Sequence, residues 1–219
     1  QALQFPFSFR PGQKKMTAIA YQAMENKKHI FLQAPTGVGK TISTLYPALK
    51  ELGAEKAENI FYLTAKTITR TVAEDTIKLL KKQGLFLSAV TITAKEKICI
   101  QEEMQCNPES CERAKGHFDR INEALYALLT AECEISRENI LLFAEKYKVC
   151  PYELSFEAAV WADCIICDYN YVFDPHVNRK SLIEGSLRQN IYLIDEAHNL
   201  LDRAREMYSA DIAKSDFKV

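Results

Sequence analysis

The sequence predicts an α/β fold with a parallel β-sheet and a small helical insertion. Short apolar runs suited to buried strands alternate with longer segments of helical periodicity, which is typical of a parallel sheet. The predicted strands are residues 29–32, 59–65, 88–93, 163–167 and 191–194. Between residues 95 and 150 the alternation stops, and a group of cysteines precedes two amphipathic helices. We therefore expect residues 1–94 and 151–219 to form one domain, with residues 95–150 inserted into it.

Composition and charge limit the classes of protein to which the chain can belong. Its 219 residues are 47% hydrophobic and 26% charged, as in an ordinary globular protein of one large or two small domains. The formal net charge is −1, so a surface for nucleic acid has to be a local basic groove. The sequence holds no apolar run of membrane-spanning length and no signal peptide pattern, so we expect an intracellular protein without a membrane partner.

A phosphate-binding loop is predicted at residues 34–41, Ala-Pro-Thr-Gly-Val-Gly-Lys-Thr. It lies between an apolar run and a helix-compatible segment, which is the context that such a loop requires. Gly37 and Gly39 allow backbone conformations in which several N–H groups point at one anion. Lys40 would reach the β- and γ-phosphates of ATP, and the Thr41 hydroxyl would hold Mg²⁺. The loop residues predicted to bind the nucleotide are Thr36, Gly37, Val38, Gly39, Lys40 and Thr41.

An adenine pocket is predicted ahead of this loop, where several aromatic residues are followed by Gln13. A ring would stack on the base, and the Gln13 amide would pair with its edge because an amide both donates and accepts hydrogen bonds. The alternative is a hydrophobic strap with an exposed glutamine. The position ahead of the phosphate loop favours the pocket.

Two carboxylates follow the last predicted strand, in the sequence Asp-Glu-Ala-His at residues 195–198. Carboxylates at the carboxyl end of a buried strand, downstream of a phosphate loop, form the metal-binding and water-activating half of an ATPase. Asp195 would bind Mg²⁺, and Glu196 would polarise the attacking water. Together with Lys40, these two residues and His198 are the predicted catalytic group. The alternative is an acidic helix N-terminus that the helix dipole favours, and the phosphate loop argues against it.

A contact with nucleic acid is predicted at the carboxyl end of the second apolar run. Thr64, Lys66 and Thr67 cluster there, and ligands of open α/β sheets bind at this edge. Hydroxyls, a lysine and helix N-terminal amides suit a phosphodiester backbone. Taken alone, the same residues would also suit an ordinary polar turn between a strand and a helix.

The seven cysteines, an odd number, favour metal or cluster ligation over disulfides in an intracellular protein. Four thiolates can hold a zinc ion or an iron–sulfur cluster, and the spacing does not select between them. Cys133 could replace one of the four ligands. Cys164 and Cys167 are interpreted as packing residues, because a strand would point them in opposite directions. The predicted metal ligands are Cys99, Cys106, Cys111 and Cys150.

Taken together, these motifs resemble the superfamily-two helicases that carry an iron–sulfur cluster, the XPD and DinG group. The resemblance spans nearly the entire chain. The matching stretches are residues 10–13, the phosphate loop, Cys150-Pro151-Tyr152, Asp-Tyr-Asn-Tyr at 168–171 and Asp-Glu-Ala-His at 195–198. The cysteine segment that ends in Cys-Pro-Tyr is the specific one. Through it, the resemblance implies a [4Fe–4S] cluster rather than zinc.

The resemblance implies a RecA-like motor domain that uses ATP and Mg²⁺ to move 5′-to-3′ along single-stranded DNA, in repair or replication. The cluster segment would help to form the wedge at a duplex junction, and the protein would act in the cytoplasm or in a nucleus. A second RecA-like domain, whose arginines complete the ATP site, and an arch domain are expected outside these 219 residues. Two other functions stay open at this point: a nucleotide- and nucleic-acid-binding module without turnover, and a zinc-containing RNA-directed ATPase.

Overall fold

A five-stranded, fully parallel sheet organises the computed structural model, which describes residues 3–131, 134–177 and 190–210. The strand order is β3-β2-β4-β1-β5. The strands are β1 (Ile60–Leu63), β2 (Ala89–Thr91), β3 (Glu134–Ile135), β4 (Cys164–Cys167) and β5 (Ile191–Ile194). All four strand pairings are parallel, so the predicted fold class is confirmed.

Helices connect these strands and cover the sheet. Those in the described residues are α1 (Gln13–Glu25), α2 (Lys40–Gly53), α3 (Thr67–Lys82), α4 (Lys95–Ile98), α5 (His117–Ala131), α6 (Arg137–Tyr147), α7 (Pro151–Ala159), α8 (Asn170–Phe173) and α9 (Leu200–Met207). A 3₁₀ turn at Ala197–Asn199 precedes α9. Within the part of the chain that is described, none of the helices is long and apolar enough to cross a membrane.

Two apolar clusters lie on opposite faces of the sheet. On one face, α2 and α3 pack against residues such as Ile60 and Tyr62 of β1. On the other face, α5, α6 and α7 pack against Phe61 and Leu63 of the same strand. Strand alternation divides the two cysteines of β4 in the same way, with Cys164 in the first cluster and Cys167 in the second. Both cysteines are therefore packing residues, as the sequence predicted.

The register of the strands brings the ends of three of them to one edge. Leu63 of β1 pairs with Cys167 of β4 on one side and with Ile194 of β5 on the other. The residues that follow these three are Thr64, Asp168 and Asp195. Because the carboxyl ends of parallel strands meet at the same edge, this register places polar residues from three distant segments next to one another.

The strand predicted at residues 29–32 is wrong, because the connection between α1 and α2 runs outside the sheet. Phe31 is 92% exposed there. A strand needs a neighbouring strand to satisfy its backbone groups, and β5 pairs only with β1 in the described residues. An apolar run gives the preference for extended backbone but does not supply that neighbour.

The predicted insertion, residues 95–150, is joined to the sheet rather than separate from it. Its two-residue strand β3, which the sequence analysis missed, pairs with β2. Ile121 of α5 and Ile140 of α6 belong to the same buried cluster as Phe61 and Val90. The division into domains at residues 94 and 150 stays a prediction, and the helical segment shares its core with the sheet.

Candidate functional site

The phosphate loop has the backbone that its sequence requires. Gly37 and Gly39 both lie in the left-handed region, with φ of 81° and 84°. Gly39 precedes α2, so the loop delivers its N–H groups to the positive end of a fourteen-residue helix. The Lys40 ammonium donates a hydrogen bond back to the carbonyl of Ala34 at 3.3 Å and so lies across the loop. This geometry can bind a phosphate chain.

Gln13 supports the phosphate loop from behind. Its side chain is almost completely buried, and its Oε1 accepts a hydrogen bond from the Arg10 backbone at 3.0 Å. Its Nε2 lies 3.5 Å from the Gly39 carbonyl, and a Cβ on Gly39 would overlap it. The Arg10 guanidinium donates to the carbonyl of Gly37. The predicted contact between Gln13 and adenine stays a prediction, and its amide here positions the loop.

A tyrosine hydroxyl links the phosphate loop to the carboxylate of Asp195. Tyr62 of β1 is 2% exposed, and its hydroxyl donates to Asp195 Oδ2 at 3.1 Å. The same hydroxyl lies 3.4 Å from the Thr41 hydroxyl. Burial, with Asp195 adding its charge, raises the pKa of the Tyr62 phenol, so the phenol stays protonated. The structure thus brings together Thr41 and Asp195, the two residues predicted to hold Mg²⁺.

The backbone at Glu196 is left-handed, with φ of 51°, and several donors hold its carbonyl. Asn199 donates to that oxygen through its backbone at 2.9 Å and through its side chain at 3.1 Å. Tyr169 donates its hydroxyl to the carbonyls of Asp195 and Glu196. Burial, with the nearby carboxylates adding to it, raises the pKa of Tyr169 to about 12. A non-glycine residue in this region is strained, and these bonds stabilise the backbone from which the Glu196 side chain projects.

His198, the fourth residue predicted to be catalytic, lies beside Glu196. Its Nε2 is 3.6 Å from Glu196 Oε2, and its side chain is 71% exposed. The histidine thus faces solvent on the open side of the site, where it can meet a ligand or another part of a protein. Its predicted role in catalysis stays a prediction.

Sequence reasoning missed the two tyrosines. Tyr62 lies inside an apolar run and was interpreted only as part of a buried strand, although a tyrosine brings a hydroxyl that must find a partner when it is buried. Tyr169 lies in the stretch at 168–171 that the resemblance singled out, but it was given no role. The available signal in both cases was a tyrosine hydroxyl at or just after the carboxyl end of a buried strand.

The three residues predicted to contact nucleic acid divide into two groups. Lys66 and Thr67 are exposed at the N-terminus of α3. Thr64 is buried, and its hydroxyl shares a hydrogen bond with the Thr69 hydroxyl and accepts one from the Lys66 backbone at 3.3 Å. Lys66 and Thr67 are therefore available to a phosphate, and Thr64 shapes the turn that presents them.

Three of the four predicted cysteine ligands, Cys99, Cys106 and Cys150, lie near Lys95, the first residue of α4. The pKa of the Lys95 ammonium is raised above its ordinary value, chiefly by its hydrogen bond to Cys106, with Cys150 adding to the effect. Cys99 follows α4 directly, one turn from Lys95, and its backbone donates to the Lys95 carbonyl at 2.8 Å. Every cysteine in the described residues is a free thiol. Cys133 lies outside the described residues.

No group of three or more metal-binding side chains comes together in the described ranges, so the predicted ligand set stays a prediction. Burial raises the pKa of the Cys150 thiol, while backbone N–H groups of Glu153 and Tyr152 at its sulfur act in the opposite direction. Such N–H donors suit a thiolate. Four cysteine thiolates are a ligand set that a zinc ion or an iron–sulfur cluster accepts, so the residue types fit a metal centre.

Comparison with known proteins decides the family. DEAD_2 matches residues 64–217, which is most of the chain. The chain belongs to the DEAD_2 family. A regulator of telomere elongation helicase 1 homolog from Anopheles gambiae is 23% identical to this DEAD_2 chain over 267 residues, which cover 98% of this chain and 27% of that protein. A Fanconi anemia group J protein homolog from Gallus gallus is 38% identical over 78 residues, 36% of this chain and 6% of that protein.

Two solved structures share the fold of this DEAD_2 chain. A structure described as an XPD helicase aligns with a TM-score of 0.61 at 21% identity, covering 91% of this chain and 34% of that chain. A truncated XPD aligns with a TM-score of 0.58 at 23% identity, covering 88% of this chain and 54% of that chain. The resemblance to the XPD and DinG group is thus confirmed, and the RecA-like fold with it. The chain spans about a quarter of the length of the Anopheles relative.

Proposed function

We propose that this chain is the ATP-binding motor domain of an ATP-hydrolysing DNA helicase. The observation that carries the proposal is the hydrogen-bonded link from Thr41 through Tyr62 to Asp195. It joins the two halves of an ATPase site, which are more than 150 residues apart in the sequence. Membership of DEAD_2 and the helicase names of the relatives support the same function.

Each residue of the site has a task in ATP hydrolysis. The loop N–H groups and Lys40 bind the phosphates, and Gln13 keeps the loop in its binding conformation. Thr41 and Asp195 would hold Mg²⁺, which neutralises charge on the β- and γ-phosphates when it is bound. Glu196, whose backbone is held by the bonds to its carbonyl, orients the attacking water and accepts its proton. His198 lies on the solvent side of that carboxylate.

The ATP site is tested with one substitution in the phosphate loop and a matched control. Lys40→Ala in the 219-residue chain removes the cation from the phosphates, so ATP affinity measured by calorimetry falls at least about tenfold. Lys28→Ala, an exposed lysine ahead of the loop, is the matched control and leaves the affinity unchanged. Equal ATP affinity in Lys40→Ala and the control would contradict the site.

We also propose that the DNA strand is contacted at the N-terminus of α3. Lys66 and Thr67 are exposed there, next to the edge that carries Asp195. A lysine, a hydroxyl and helix amides bind phosphates without regard to sequence, as a translocating motor requires. The resemblance to the XPD and DinG group supports further proposals. The protein moves 5′-to-3′ along the strand and acts at duplex junctions. A second RecA-like domain and an arch domain complete it, and it works in DNA repair or replication, in the cytoplasm or a nucleus.

We propose that one [4Fe–4S] cluster is held by Cys99, Cys106, Cys111 and Cys150. Cys99 lies one helical turn from Lys95, Cys106 hydrogen-bonds to Lys95, and Cys150 interacts with the charge of Lys95. Backbone N–H groups are also directed at Cys150. Burial raises the pKa of the Cys150 thiol, and a bound metal cation would favour the thiolate there. Such a cluster would link α4, the following loop and α7 covalently.

The cluster is tested by replacing each cysteine with serine in anaerobically purified protein. The four ligand variants lose bound iron and visible absorption, because serine does not replace a cluster thiolate. Cys164→Ser and Cys167→Ser are the matched controls, and they keep their iron because these thiols lie in the two apolar clusters. Stoichiometric zinc without iron would replace the cluster with a zinc site. Iron loss in Cys133→Ser, with iron kept in Cys106→Ser, would give a different ligand set.

A further inference from the structure

A basic groove opens beside α3, away from the phosphate loop, and none of the roles above uses it. Its volume is about 360 Å³, and α3, β2 and the N-terminus of α6 form its walls. Its floor includes Ala89 of β2 and Ile166 of β4, and Ile77 of α3 lies beside them. We refer to it as the α3 groove.

The α3 groove is positively charged in a chain whose net charge is −1. Five cations line it against two carboxylates. The cations are Arg70, Lys78 and Lys81 on α3, and Lys97 and Arg137 on the opposite wall. Because the net charge of the chain is close to zero, a surface that binds nucleic acid has to be a local basic groove, and the α3 groove is basic.

Both carboxylates already have partners within the wall. Glu74 accepts a hydrogen bond from the Thr91 hydroxyl at 2.6 Å. The pKa of the Glu138 carboxyl is held below its usual range, first by its own backbone N–H, and also by the Ser136 hydroxyl and the charges of Arg137 and Lys78. Neither bond removes the charge of its carboxylate, so the five cations leave the α3 groove with an excess of three positive charges.

The cations form a track rather than a point. Arg70, Lys78 and Lys81 are spaced eight and three residues apart, so they share one face of α3. From Arg70 to Lys81 the helix rises about 16 Å, the length of about five nucleotides at B-form spacing. Arg137 is held on the opposite wall by its hydrogen bond to the Lys97 carbonyl at 3.0 Å.

The track is continuous with the predicted nucleic-acid contact. Thr67, the first residue of α3, is exposed beside Lys66 and also lines the groove, as does Thr71 one turn later. Hydroxyls and cations line the walls, and aromatic side chains are absent from the described lining. That combination suits phosphates and ribose or deoxyribose rather than stacked bases.

We infer that the α3 groove binds the phosphate backbone of single-stranded DNA and extends the contact at Lys66 and Thr67 along α3 towards α6. This inference rests on the proposed function and adds a second segment to its DNA path. Binding there is independent of base sequence and depends strongly on salt.

The test uses the 219-residue chain and a fluorescent fifteen-nucleotide oligo-dT, with binding followed by anisotropy over a series of salt concentrations. Lys78→Gln with Lys97→Gln removes one cation from each wall. For single strands each phosphate contact adds about 0.7 to the salt slope, so the slope falls by about 1.4 and affinity at 0.1 M salt falls about 25-fold. Lys82→Gln with Lys14→Gln, both exposed and outside the groove, is the matched control and changes neither quantity by more than a small factor.

Two further arms separate the possible failures. Lys66→Gln weakens DNA binding if the proposed function is right. If it does so while the groove variant binds like the control, the groove inference alone is overturned. If the wild-type chain binds no oligo-dT, both fail. An acidic partner peptide is represented by a fifteen-residue poly-glutamate. If the wild-type chain binds that peptide, and the groove variant loses peptide binding but keeps its DNA affinity, the inference is overturned in favour of a protein ligand.

Discussion

The hydroxyl of Tyr62 is the most specific feature of the site, and Tyr62→Phe removes it while keeping the ring. The bond of 3.1 Å to the Asp195 carboxylate is lost, and such a bond contributes about 1.5–3 kcal/mol. Asp195 is only partly buried, so water replaces some of the loss and the lower part of that range, about 1.5–2 kcal/mol, applies. At 3.4 Å the contact with Thr41 is too long to add much.

Urea denaturation of the 219-residue chain measures this change in the free energy of unfolding. The melting temperature falls in parallel by about 3–8 °C, as expected for a domain of this size. Tyr126→Phe is the matched control, because Tyr126 is 71% exposed on α5. A loss below about 0.5 kcal/mol in Tyr62→Phe, equal to the control, would refute the link between β1 and Asp195.

The same substitution has a separate effect on metal-dependent binding. Without the shared hydroxyl, Thr41 and Asp195 are no longer held together, so the gain in ADP affinity on adding Mg²⁺ becomes smaller, while ADP affinity without Mg²⁺ is unchanged. A purely structural role would lower stability but leave this gain intact.

The stability of the wild-type chain also depends on pH through Tyr62, because burial raises the pKa of its phenol above the ordinary value of about 10. The contribution of Tyr62 to the free energy of unfolding is therefore complete below about pH 10 and is lost as pH rises further. Tyr62→Phe has no phenol, so its free energy of unfolding falls less than that of the wild type above about pH 10.

Two further predictions concern the loop and the buried thiols. Gly39→Ala lowers the free energy of unfolding by at least about 1–2 kcal/mol and weakens ATP binding, because its φ is 84° and the new Cβ overlaps the Gln13 amide. Gly53→Ala is the matched control, because Gly53 lies at the end of α2 with open space around it. This control leaves the free energy of unfolding unchanged or raises it by up to about 1 kcal/mol. Urea denaturation of both variants measures the difference. In native protein without metal, iodoacetamide at pH 8 modifies exposed Cys106 but not Cys164, since burial raises the pKa of the Cys164 thiol to about 12. Peptide mass spectrometry measures the labelling, and modification of Cys164 at the rate of Cys106 would contradict the buried strand.

Much of the site follows from local sequence, because its parts are local motifs. The phosphate loop needs glycines at two positions and a helix after them, and both can be recognised without a fold. Asp195 and Glu196 follow an apolar run, and the carboxyl ends of parallel strands share an edge. These two facts predict that the carboxylates lie near the loop, and in the structure Tyr62 links Asp195 to Thr41.

The parts that sequence reasoning missed depend on distant partners. Tyr62 looks like a core residue within its strand, and only the register of β1 with β5 brings its hydroxyl to Asp195. The strand predicted at residues 29–32 fails for the same reason, since strand formation depends on a neighbour that the run itself does not encode. Strand β3 has only two residues, too few to give a periodic signal.

The central claim is that DNA drives ATP hydrolysis at the site formed by Lys40, Asp195 and Glu196. It is tested most directly by the rate of ATP hydrolysis in the full-length protein with single-stranded DNA, with RNA of the same length, and with neither. We expect stimulation by DNA. In Glu196→Gln we expect loss of turnover with retained ATP binding, because an amide cannot accept the proton of the attacking water. Stimulation by RNA but not DNA, or a wild-type rate in Glu196→Gln, would contradict it.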